Sequence, residues 1–173
     1  MSNKIVIQSH KGEYIASFIR GGMDQLNDNL VANAVYIIDS NICKLYADRI
    51  DKVLSSPRII EIDASEENKS LDKMPGYVHE LVSLNIKRGN PLIAIGGGIV
   101  QDITCFLATT VMRGLPWIFY PTTLLAQSDS CIGSKSSINS GEFKNILGTF
   151  LPPEQVVIDV DFLQTLKQRE IFS

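Results

Sequence analysis

The forty residues from Gly89 to Ser128 carry only two charged side chains, Asp102 and Arg113, in a chain with 16 basic and 19 acidic residues. A stretch so depleted of charge belongs at the centre of a fold, where an ionised group is costly unless it is paired or used. Its pattern runs from the apolar strand Leu92–Ile95 through Gly96-Gly97-Gly98 to a helix over Asp102–Met112, then to the strand Trp117–Tyr120. Ile103, Phe106, Leu107 and Val111 share one face of that helix. Strands that are apolar throughout are covered on both faces, which is the habit of parallel sheets. The two retained charges are therefore candidates for function, against the alternatives of an Asp102–Arg113 structural pair or a helix N-cap carboxylate.

The rest of the chain extends the same pattern. Further strands are predicted at Lys4–Gln8, Ala34–Asp39, Arg58–Asp63 and Val156–Asp159, and helices at Leu45–Leu54 and Tyr77–Lys87. Strands alternating with helices predict an α/β fold, an open and mostly parallel sheet with flanking helices. A length of 173 residues with 45% apolar content fits one domain spanning 1–173 and excludes a disordered chain. A net charge of −3 gives no footprint for nucleic acid or an anionic membrane surface. Cys43, Cys105 and Cys131 are odd in number and far apart, so no disulfide framework is expected. With His10 and His79 as its two histidines, the chain is expected to hold no metal site of its own. Both histidines read as surface or helix-face residues. The longest uncharged run, Gly114–Ser128, is broken by Pro116 and Pro121 and too short for a membrane helix. Met1–His10 lacks the apolar length of a signal peptide, and the expected location is cytoplasmic.

Three glycines between a strand and a helix suit close approach of a ligand phosphate to free backbone N–H groups. The dinucleotide fingerprint G-x-G-x-x-G fails at its last position, which is Gln101, and no acidic residue lies between Ile103 and Ser128 to hold a ribose. Gly133-Ser134-Lys135-Ser136 lacks the glycines of a phosphate-binding P-loop. Pro121-Thr122-Thr123 places hydroxyls at a strand's carboxyl end, where open α/β sheets bind ligands, although it also reads as a helix cap. Asp129, Lys135, Lys144 and Asn145 follow within a short Gly/Ser-rich region, either a site for an anionic, polyhydroxylated ligand or a solvated loop.

Together these segments resemble the 3-dehydroquinate synthase family of sugar phosphate cyclases. The resemblance rests on Gly96-Gly97-Gly98-Ile99-Val100-Gln101-Asp102, Met112-Arg113-Gly114, the run Pro121–Ser130, and Lys144-Asn145. Asp39-Ser40-Asn41, Glu66–Leu71, Phe162–Leu166 and Arg169-Glu170 add to it. It implies a Rossmann-like variant, the N-terminal NAD-binding domain of a two-domain enzyme whose helical, metal-binding C-terminal domain is absent from this chain. In such enzymes NAD oxidises a substrate hydroxyl, phosphate leaves, the ketone is reduced again, and an intramolecular aldol step closes the ring. The implied partners are a seven-carbon sugar phosphate and a second copy of the chain, and the implied metal, zinc or cobalt, comes with the second domain.

Carried over by position, the resemblance implies that Asp39 and Asn41 contact the adenosine end of NAD, with Glu66 and Lys69 on its ribose or phosphates. Gly97, Gly98 and Ile99 would face the pyrophosphate and Asp102 the nicotinamide half. Thr122, Thr123, Leu125, Lys135, Lys144, Phe162, Leu163 and Thr165 complete the implied cofactor groove. Asp129, Lys135 and Asn145 would face substrate, and Arg113 would reach the active site of a neighbouring subunit. Gln101 stands where the family often has glycine, Ser134 and Ser136 replace the usual neighbours of Lys135, and Ser140-Gly141 stands where His-Pro is typical. These departures keep two alternatives open, a sibling cyclase making another cyclitol and a non-catalytic nucleotide-binding module.

Overall fold

The computed structural model describes residues 3–166. Seven strands form one sheet in the order β1-β2-β9-β6-β5-β3-β4, comprising β1 (Asn3–Ser9), β2 (Gly12–Ile19), β3 (Val35–Asp39), β4 (Ile59–Ile62), β5 (Leu92–Gly96), β6 (Trp117–Pro121) and β9 (Gln155–Asp159). The β1–β2 hairpin is antiparallel, and every other pairing is parallel. A separate two-stranded antiparallel hairpin is made by β7 (Ile138–Ser140) and β8 (Phe143–Leu147). The expected open, mostly parallel sheet is what forms.

Every residue of β3 and β5 is buried. Alternation along these strands feeds two cores. Val35, Ile37, Leu92 and Ala94 meet helices α4 (Met74–Ser83) and α5 (Gly98–Thr110) through Leu81, Val100, Ile103 and Leu107. Tyr36, Ile38, Ile93 and Ile95 point the other way. They pack against α1 (Gly22–Asp28), α2 (Ser40–Leu45) and α3 (Asp51–Leu54) through Met23, Leu26, Ile42 and Val53. Burial on both faces explains why these strands tolerate so little charge. Among the described residues no helix is long and apolar enough to cross a membrane.

Several local expectations need correction. The helix predicted over Leu45–Leu54 is three pieces, because it begins earlier, at Ser40, where the Asp39 carboxylate accepts from the Asn41 N–H at 2.8 Å. The break falls at Tyr46, whose hydroxyl donates to the Phe162 carbonyl at 2.9 Å. Helix α4 starts at Met74 rather than Tyr77, with Pro75 in its first turn, where a missing N–H costs nothing. Helix α5 starts at Gly98, four residues before the expected Asp102, so Asp102 lies one turn inside and is no N-cap. Strand β2 and helix α1 escape the periodicity reading. Ser17 is buried in β2 beside Ala16, which breaks the polar–apolar alternation, and α1 is only seven residues long.

Candidate functional site

The carboxyl ends of β3, β4, β5, β6 and β9 all open on one edge of the sheet, and the loops that follow them carry most of the candidate residues. This edge is where open α/β sheets bind ligands. The three glycines after β5 turn out to do different work. A Cβ on Gly96 would lie 2.6 Å from Val100 Cγ2, and one on Gly97 would lie 2.9 Å from Thr123 Cγ2. Those two glycines are demanded by packing of the turn on its own helix and on the next loop. A Cβ on Gly98 would meet nothing within 4 Å. Gly98 is exposed, it is the first residue of α5, and no side chain caps the helix. The first-turn N–H groups of Gly98, Ile99 and Val100 are thus left for an anion at the positive end of a 13-residue helix.

Beside this helix end a charged network joins three elements. Lys69 lies on the 3-10 turn Glu66–Lys69 and is buried to 6% exposure. Its ammonium donates to Asn145 Oδ1 at 2.9 Å and Asp102 Oδ2 at 3.1 Å, and lies 3.4 Å from Glu66 Oε1. Two of the three N–H donors of the ammonium are taken by these hydrogen bonds, and Glu66 adds an ion pair beside them. The Asp102 carboxylate also accepts from the Ser137 N–H at 3.0 Å and the Ser137 hydroxyl at 2.9 Å. Glu66 accepts from Asn139 Nδ2 at 2.9 Å, and this bond and the nearby Lys69 hold its carboxyl below its ordinary value.

The sequence expectations sort clearly against this geometry. Glu66, Lys69, Asp102 and Asn145 come together. Neither structural alternative for Asp102 holds, because its cation is Lys69 and Arg113 lies past the other end of α5, about 16 Å away by helix rise. Arg113 is exposed and follows Met112 into a left-handed backbone, φ 65° after 52°. Asp39 is buried at the end of β3, and desolvation raises its pKa, with Asp63 and Glu61 adding to the rise. Asn41, Leu125 and Thr165 are exposed, and Leu163 is half-buried. Thr122 is buried, its N–H bonded to the Gly96 carbonyl, while Thr123 packs on Gly97. Phe162 corrects the implied groove lining: it is 1% exposed and its ring packs edge-on to Tyr46, so it is a core side chain behind the edge. Asp129, Lys135 and Lys144 are exposed and make no ion pair among the described residues. Arg169 and Glu170 lie outside the described residues.

Three polar residues at this edge were not singled out by sequence reasoning as site residues. Ser137 and Asn139 stand on and beside β7 with no local signal beyond the Gly/Ser-rich composition. Gln101 was noted only as a missing glycine. Its amide donates to the Ser130 carbonyl at 2.6 Å and accepts from the Ser130 hydroxyl at 2.8 Å, which ties α5 to the π-helical turn Ala126–Ser130 that carries Asp129. Among the described residues no three His, Cys, Asp or Glu side chains stand together as a metal-ligand group.

The model of the 3-dehydroquinate synthase N-terminal family matches residues 59–173. This chain belongs to the 3-dehydroquinate synthase family. A 3-dehydroquinate synthase of Natranaerobius thermophilus is 39% identical over 164 residues, covering 91% of this chain and 44% of that protein. The chain therefore spans less than half the length of that relative. Among solved structures, ValA, a 2-epi-5-epi-valiolone synthase from Streptomyces hygroscopicus subsp. jinggangensis 5008 with NAD+ and Zn2+ bound, matches with TM-score 0.79 and 28% identity. That match covers 91% of this chain and 46% of ValA. A 2-deoxy-scyllo-inosose synthase complexed with carbaglucose-6-phosphate, NAD+ and Co2+ shares the fold, with TM-score 0.82 and 24% identity over 98% of this chain and 48% of its own.

Proposed function

We propose that this chain is the NAD-binding domain of a sugar phosphate cyclase of the 3-dehydroquinate synthase type, working in the cytoplasm as part of a longer, two-domain enzyme. The observation that carries the reading is the uncapped first turn of α5, with Gly98 open to solvent and the Lys69–Asp102 pair beside it. Gly97, Gly98 and Ile99 would receive the pyrophosphate, because first-turn N–H groups and the helix dipole favour negative charge there. Asp39, at the end of β3, would hold the adenosine ribose, supplying the carboxylate that the glycine motif lacks after Asp102. Bound NAD supplies reversible hydride transfer at a substrate hydroxyl carbon.

The protein's own groups would set that transfer up. Lys69, bonded to Asp102 and Asn145 and paired with Glu66, would hold these three groups in fixed places. With Oδ1 held by Lys69, Asn145 presents its Nδ2 donor outward, and Lys135 and Lys144 supply positive charge for phosphate or carboxylate. Asp129 is held on its turn by the Gln101–Ser130 bonds, ready to accept from a substrate hydroxyl. The described residues do not fit a divalent metal, whose ligands would come from outside them. Arg113, exposed and past the far end of α5 from this site, would serve a second copy of the chain, in a homodimer.

Two measurements test the reading. Calorimetric titration of the chain with NAD is expected to give one site; no heat at millimolar cofactor sinks the binding claim. The full-length enzyme with metal is expected to cyclise a seven-carbon sugar phosphate with loss of phosphate. Turnover of a different sugar phosphate would favour the sibling-cyclase reading, which Ser140 and Gly141 beside the substrate loop keep open.

A further inference from the structure

Asn139 joins the two sides of the site. It is 7% exposed on β7, and each of its two polar side-chain atoms is committed to a different candidate residue. Nδ2 donates to the Glu66 carboxylate at 2.9 Å, with the Glu66 carbonyl at 3.4 Å. Oδ1 accepts from the Asn145 N–H at 2.7 Å. Asn145 is in the left-handed region, φ 54°, which asparagine adopts more readily than most side chains and which aims its N–H at Asn139. Lys69 closes the ring, reaching both Glu66 and Asn145 Oδ1.

We propose that Asn139 is a positioning residue that couples the cofactor side of the site to the substrate side, holding the Glu66 carboxylate with Nδ2 and the left-handed Asn145 backbone with Oδ1. The inference rests on the cofactor role that the resemblance implies for Glu66 and on the substrate role proposed above for Asn145. It goes beyond them in assigning their mutual placement to one carboxamide. The carboxamide suits the task because it offers a donor and an acceptor in one rigid plane. An aspartate would keep the acceptor toward Asn145 but set a second carboxylate against Glu66. An alanine would serve neither.

The test compares full-length wild type with N139A and N139D. Two readouts are used, NAD affinity by calorimetry and exchange protection of the Asn145 amide by NMR. Either variant releases the Glu66 carboxylate that would meet the cofactor, so both are expected to bind NAD about tenfold more weakly, the worth of one hydrogen bond to a charged group. The Asn145 amide is expected to lose protection in N139A and keep it in N139D. A residue that merely supports the fold would not split the two readouts between the two variants. NAD binding within twofold of wild type in both folded variants, or an equally protected Asn145 amide in N139A, overturns the inference. Should N139A fail to fold, N139D decides: weakened NAD with a protected Asn145 amide supports the coupling, and unchanged NAD affinity overturns it. Wild type that binds no NAD would sink the cofactor reading instead, and the amide readout alone then tests the link from Asn139 to Asn145.

Discussion

Lys69 and Asp102 lie 33 positions apart in sequence and meet at 3.1 Å, with side chains 8% and 18% exposed. The pair pins the turn after β4 to the second turn of α5. Removing one member of a buried pair costs more than the pair is worth, because the other charge is left unpaired. K69M is expected to destabilise the protein by about 3 kcal/mol, and K69M/D102N by less than the sum of the two single changes. Urea unfolding of the four proteins in a double-mutant cycle checks both statements.

Glycine substitutions should separate packing from ligand approach. G96A drives a Cβ to 2.6 Å from Val100 and is expected to cost about 1–3 kcal/mol. G98A meets no neighbour within 4 Å and sits at the first helical position, so stability should hold or rise by about 0.5 kcal/mol. Its methyl stands where the proposed pyrophosphate approaches, so NAD affinity should drop at least tenfold while the melting curve does not fall. Thermal denaturation beside calorimetry reads the contrast. A G98A protein that binds NAD like wild type would move the phosphate elsewhere.

How much of this was legible beforehand depends on the range of the interaction. The central strands follow from apolar runs because burial on both faces leaves a mark on every residue. Gly96–Gly98 announced a close approach, but not that Gly96 and Gly97 answer to Val100 and Thr123 and only Gly98 to open space. The cation for Asp102 was not readable, since nothing local distinguishes Lys69 from the other lysines. Asn139 and Ser137 were invisible for the same reason. Their partners Glu66 and Asp102 are 73 and 35 residues away, and only the closed fold brings them into reach. The resemblance supplied Glu66, Lys69 and Asn145 as candidates, and the geometry adds that Lys69 bridges the other two.

Asp39 should trade stability against binding. Burial and the neighbouring Asp63 and Glu61 disfavour its charged form, so its folded pKa lies above the ordinary 3.8. A carboxyl with a raised folded value contributes stability at pH below 3.8, and that contribution is lost as pH rises through the folded value. At neutral pH the ionised Asp39 is therefore a net cost. D39N removes the charge and retains an Oδ1 acceptor for the Asn41 N–H, so α2 keeps its cap. Differential scanning calorimetry at pH 7 is expected to show a melting temperature equal to wild type or about 2 °C higher. NAD affinity should fall because the proposed ribose acceptor is weakened; a lower melting temperature would show that the cap, not the charge, dominates.

Glu66 works with the opposite sign. The Asn139 bond and Lys69 hold its folded pKa below the ordinary 4.5. Its contribution is therefore present above pH 4.5 and lost as pH falls through the lowered folded value. Asp24, lowered by its bond to Arg49, behaves alike from 3.8 downward. Glu66 should accordingly lower the stability of wild type on acidification below about pH 4.5, with Asp24 and the Asn27-bonded Asp51 acting below 3.8 and the raised Asp39 opposing them. Because the Glu66 side chain is 43% exposed, solvent screening keeps its share small. E66Q should flatten the decline between pH 4.5 and the lowered value while leaving the Asp24 portion intact, and D24N should do the reverse. Urea midpoints measured from pH 3 to 7 for the three proteins resolve the two segments. An E66Q curve parallel to wild type over the whole range would mean that the Asn139–Glu66 bond adds no measurable stability to the fold.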